Sequence, residues 1–79
     1  MEETIKALKD FICTNIIAEN IEIESNTILK DIGVDSFSII EIVLFIERKF
    51  GKLIPDHLLV PETFATLRSM AEVIQQIEE

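Results

Sequence analysis

The chain has 79 residues, about half of them apolar (48%), and 15 acids against 7 bases, a net charge of −8. This is one domain's worth of sequence with one modest core, and its acidity opposes phosphate backbones, so nucleic acid is excluded while a basic protein partner is permitted. Cys13 has no second cysteine to pair with, no apolar run reaches the ~20 residues that span a bilayer, and the acidic start MEETIK lacks the basic, apolar character of a signal peptide. The expectation is a single monomeric, cytoplasmic domain over residues 1–79, away from membranes.

The first segment, from about Glu3 to Ile17, repeats Ile5, Leu8, Ile12 and Ile16 at spacings of three and four, one face of an amphipathic helix. Glu2 and Glu3 suit the positive end of its dipole, and Lys6, Lys9 and Asp10 take the other side. From Ala18 to Asp35 the period fails. Asn20, Ser25, Asn26 and Gly33 are turn formers, yet Ile21, Ile23, Ile28, Leu29 and Ile32 recur, which predicts a long loop pinned to the core.

A second helix, SFSIIEIVLFIERKF, follows Asp35 as N-cap and stops before Gly51, with Arg48 and Lys49 at its negative end. On a helical wheel Ile39, Val43, Ile46 and Phe50 form an apolar stripe with Ile40 beside it. Ser38, Glu41, Arg48 and Lys49 mark a polar arc into which Ile42 and Phe45 also fall. A small domain cannot cover all of these, so apolar surface stays exposed next to charge and marks a partner site. Pro55 and Asp56 predict a short capped turn through Leu59, ended by Pro61. Thr66 caps a last helix whose buried stripe is Leu67, Met70, Ala71, Ile74 and Ile77. With two glycines, two prolines and this periodicity, the fold class is all-α: a small four-helix bundle of three main helices and one short one.

Most catalytic chemistry is missing. One His and one Cys make a zinc site untenable, no glycine-rich phosphate loop is present, and Asp35 beside Ser36 cannot set up a relay through His57. Cys13 reads as a small apolar filler and His57 as an exposed helix-start residue. Weak divalent binding is conceivable where Asp31 nears Asp35 or Glu47 nears Asp56. The informative stretch is Asp31-Ile32-Gly33-Val34-Asp35-Ser36-Phe37, which puts a serine hydroxyl at an exposed helix start after a long loop. Two readings stand on the residues alone: a serine that becomes a phosphodiester at the positive end of the dipole, or a serine that helps Asp35 cap the helix.

The segment DIGVDSFSIIEIVLFIERKFG, with the later IPD and the TFATL start of the last helix, resembles the core motif of acyl carrier proteins, and the layout matches over nearly the whole chain. The resemblance implies that Ser36 carries 4′-phosphopantetheine, placed there from coenzyme A by a phosphopantetheinyl transferase, and that an acyl group rides on the arm as a thioester. It implies a non-catalytic domain that delivers its cargo from an acyl-loading or adenylating enzyme to synthase and transferase enzymes in fatty-acid, polyketide or related biosynthesis. Asp35 becomes helix cap and recognition residue for the transferase. Phe37, Glu41, Leu44 and Arg48, spaced by four, three and four, become the docking face. Phe37 stands where the family usually has leucine, and the second helix is less acidic and more apolar than in fatty-acid carriers. Ile46, Phe50, Ile54, Leu59 and Phe64 face the region where some carriers store a chain. Most of them read as core, a dry packing that excludes long chains.

Two other readings remain. A discrete aminoacyl or peptidyl carrier would work with a separate adenylating enzyme, although Asp35 leans towards acyl carriers because many peptidyl carriers have His there. An unmodified helical interaction domain would use the second helix alone and tolerate Ser36→Ala. A hydrolase acting through Ser36 lacks a positioned base.

Overall fold

A computed structural model describes residues 2–19 and 21–77. Among these residues the structure is all helical: α1 (Glu2–Phe11), α2 (Ser36–Phe50) and α3 (Leu67–Gln76), with short helical turns between them. Leu8 and Ile12 from the first segment, Ile42 and Ile46 from α2, and Leu67, Met70 and Ile74 from α3 meet in one buried cluster. Of the residues expected to pin the long connection, Ile23 and Leu29 belong to the same cluster and Ile21 and Ile32 pack against it, whereas Ile28 is 47% exposed and does not pin the segment; Val34 is buried in its place.

The first helix does not stay α-helical to Ile17. At Ile12 it widens into a π-helical stretch, Ile12–Ile17, closed by Ala18 in the left-handed conformation (φ 61°, ψ 31°). Both the Ala18 and Glu19 N–H groups donate to the Cys13 carbonyl, and the Asn15 side-chain amide donates to the Phe11 carbonyl (3.4 Å) where the ladder changes. Ile12 and Cys13, at the start of this wider stretch, are both buried. The Cys13 thiol, a buried filler as expected, lies 3.5 Å from the Ile21 carbonyl.

The long connection is tied to α3 through its backbone. The Leu29 N–H donates to the Ala65 carbonyl (2.9 Å), and the Arg68 N–H donates to the Ser25 carbonyl (3.0 Å). The second bond satisfies one of the N–H groups that the first turn of α3 leaves without a helical partner. Asn20, expected among the turn formers, lies outside the described residues. A 3-10 turn, Leu29–Ile32, then ends at Gly33 with φ 103°, a conformation that glycine adopts without strain, and the chain enters α2.

The rotation of α2 differs from the helical-wheel expectation. Ile42, assigned to the polar arc, is fully buried with Ile46 one turn on. Ile39, Val43 and Phe50 are half-buried, and Ile40 is 59% exposed. Phe45 accounts for the turn of the helix: its ring stacks on Phe11 with centroids 4.3 Å apart and planes 17° from parallel, a contact that draws the 42–45–46 side inward. Two smaller corrections concern the Pro55 segment. The 3-10 turn Asp56–Leu58 has no side-chain cap bond, so Asp56 does not cap it. Leu59 follows the turn and is exposed rather than in the core. Ile54 and Phe64 are buried as expected. Thr66 caps α3 as expected, in a reciprocal box in which the Ser69 N–H donates to Thr66 Oγ1 (3.0 Å) and the Thr66 N–H to Ser69 Oγ (3.1 Å).

Two measurements check this account. Ala18→Gly removes the left-handed strain of a Cβ-bearing residue and raises stability by about 0.5–1 kcal/mol, a gain of a few degrees in thermal unfolding. Ile42→Ala costs about 2–4 kcal/mol in denaturant unfolding, whereas Ile40→Ala costs under ~1 kcal/mol; the opposite order would restore the helical-wheel orientation.

Candidate functional site

The N-terminus of α2 is built by Asp35. Its extended backbone precedes the helix, and its carboxylate accepts the Ser38 N–H (3.0 Å) and the Ser38 hydroxyl (3.1 Å). Those two bonds favour the ionised form, the backbone N–H first, and hold the carboxyl below the usual aspartate range. The carboxylate is thereby engaged with Ser38 and is a weak base towards its neighbour Ser36.

Ser36 is the first residue of α2 and is exposed. Among the described residues no hydrogen bond engages its hydroxyl, so it does not share the capping work of Asp35. It stands on the rim of an open groove of about 1040 Å³ formed between α2 and the chain from Leu59 to Ala65. Ile39, Ile40 and Val43 of α2 line it together with Leu59, Val60 and Phe64, and Lys30, Gly33 and Asp35 also belong to the lining. An anionic group on the serine oxygen would meet the positive end of the helix dipole, with an apolar surface beside it for whatever that group carries. An exposed hydroxyl at a helix start beside apolar surface therefore fits a phosphodiester-linked arm. His57 is exposed and is not part of this lining.

The four residues expected on the docking face are all exposed, Phe37 at 82% and Leu44 at 53%. Glu41, Leu44 and Arg48 share a shallow trough of about 490 Å³ with Phe11, Phe45 and Lys49; Phe37 lies outside it, at the Ser36 end of the helix. The groove beside Ser36 was missed as a groove by sequence reasoning, and so was Lys30 in its lining. Its signals were present in part, in Ile40 flanking the apolar stripe and in the apolar run Leu59-Val60-Pro61. Among the described residues no three His, Cys, Asp or Glu side chains gather in a metal-binding arrangement, and no helix is long and apolar enough to cross a membrane.

Comparison with known proteins places these features in a family. Residues 6–74 match the family model described as the phosphopantetheine attachment site. Curated relatives include an acyl carrier protein of Rickettsia bellii, 36% identical over 77% of this chain and 64% of the relative, so the match spans a little under two thirds of that protein. An acyl carrier protein of Helicobacter pylori is 29% identical over 81% of this chain and 83% of its own. Aminoacyl carrier protein 2 of Bradyrhizobium diazoefficiens is 27% identical over 89% of this chain and 76% of its own. The fold is shared with a chain in the crystal structure of Bradyrhizobium japonicum glycine:[carrier protein] ligase complexed with cognate carrier protein and an analogue of glycyl adenylate (TM-score 0.77, 94% of each chain covered, 23% identity). The chain belongs to the phosphopantetheine-binding carrier proteins, a non-catalytic family whose covalent cofactor is 4′-phosphopantetheine.

The cap gives a pH test with a definite sign. A carboxyl whose folded pKa is depressed adds stability above its unfolded value near 3.8 and loses it as pH falls through the lower folded value. Asp35→Ala therefore lowers the melting temperature by several degrees at pH 7, and the gap to the native chain narrows below pH ~3.8 in parallel melts.

Proposed function

We propose that Ser36 is the attachment point of the arm and that residues 1–79 act as one carrier domain, holding an acyl intermediate and passing it between enzymes. The observation that carries this reading is the exposed, unengaged hydroxyl of Ser36 at the start of a helix capped by its neighbour, inside the matched region. When bound, the arm supplies a terminal thiol on which an acyl group is held as a thioester. The chain's own part is to present and orient. Asp35 fixes the helix start and gives a phosphopantetheinyl transferase a feature to recognise. Asp35 Oδ1 accepts both Ser38 bonds, which ties the carboxylate to the helix cap.

Phe37, Glu41, Leu44 and Arg48 form the proposed docking face for loading and synthase or transferase enzymes, supported by two large apolar side chains left in solvent beside charge. An acyl cargo from fatty-acid, polyketide or related synthesis, handled in the cytoplasm, is the first reading. It is supported by the groove at Ser36, whose lining is mostly apolar. An aminoacyl cargo delivered by a separate adenylating enzyme is the second, supported by the likeness to Aminoacyl carrier protein 2 and by the fold shared with the ligase complex.

Intact-mass spectrometry after incubation with coenzyme A, magnesium and a broad-specificity transferase tests the attachment. The native chain gains one phosphopantetheine and Ser36→Ala gains none, while Ser36→Ala costs under ~1 kcal/mol because Asp35 remains as cap. A folded native chain left unmodified beside a modified control carrier would leave an unmodified interaction domain instead.

A further inference from the structure

The groove beside Ser36 is lined by two charged residues, Asp35 and Lys30. The remainder of its lining is apolar apart from Ser36 and Gly33. Asp35 is committed to Ser38. Lys30 is exposed and forms no ion pair among the described residues, where the pairs are Lys9 with Glu22 and Arg68 with Glu72. Its backbone is held: it belongs to the turn Leu29–Ile32, its carbonyl accepts the Gly33 N–H (3.3 Å), and Leu29 beside it is fully buried and bonded to Ala65. A cation is thus carried on a hydrogen-bonded turn that lines the same groove as Ser36.

Resting on the reading that Ser36 bears the arm, we propose that Lys30 is a positioning residue that pairs with the phosphodiester on Ser36 and holds the root of the arm at the mouth of the groove. The chain has a net charge of −8, and a phosphodiester adds another negative charge directly beside the Asp35 carboxylate. The helix dipole offsets part of this repulsion. Lys30 is the one cation lining the groove and offsets a further part. The pair is exposed and screened by salt, so its effect is small and confined to the modified protein.

The test compares apo and holo forms of the native chain, Lys30→Gln and Lys30→Arg at low salt, after intact mass has shown one arm on each holo sample and none on Ser36→Ala. Lys30→Gln is expected to lower the melting temperature of the holo form by roughly 1–5 °C more than that of the apo form. Lys30→Arg restores most of the difference, and about 1 M salt removes it. Nuclear Overhauser contacts in the native holo protein join the Lys30 ε-methylene to the arm's methylene next to phosphorus. Equal effects of Lys30→Gln on both forms, or holo spectra without those contacts, overturn the pairing while the attachment stands. Absence of the arm from the native chain, with a control carrier modified, removes the attachment and the pairing together.

Discussion

Burial of Ile42 and Ile46 against the first and last helical segments is the constraint on which the site depends. α2 has more apolar side chains than the small core can take in, so the pair that is fully buried decides which others stay out. With Ile42 and Ile46 inward and Phe45 stacked on Phe11, Ile39, Ile40 and Val43 turn towards the Leu59–Ala65 chain and form one wall of the groove. Leu44 and Phe37 are left in water on other sides of the helix. A rotation by one residue, about 100°, would redistribute all of these surfaces.

The start of α2 is placed by a different set of forces. Leu29 is anchored in the core and to Ala65 ahead of α3, Gly33 turns the chain, Val34 is buried, and Asp35 ends the loop by capping the helix. Ser36 is thus held at a defined point although its own side chain is free. Rigid support under an exposed hydroxyl suits the proposed attachment, in which the serine has to be reachable and its surroundings the same at every encounter.

Charge is distributed unevenly on this acidic chain. Arg48 and Lys49 sit with Glu41 and Leu44 along one trough, and Lys30 stands at the groove beside Ser36. These cations interrupt the negative potential at the two surfaces that matter for the proposed function. A partner approaching this docking face meets mixed charge around apolar side chains, an arrangement in which shape and desolvation weigh more than long-range attraction.

The motif from Asp31 to Phe37, both glycine-terminated turns, the Asp35 and Thr66 caps and the α3 stripe were legible in the sequence, because each depends on a few neighbouring residues and on backbone rules that act locally. The family followed from the same local pattern. The facing of α2, the π-helical end of the first segment and the groove at Ser36 were decided only in three dimensions. Ile39, Ile40, Ile42 and Val43 are near-equivalent to any periodicity rule, and which of them is buried is set by the shape of the partners, above all Phe11 against Phe45. A groove walled by residues about twenty positions apart in the chain has no local signature, since neither wall is apolar in a pattern that names the other.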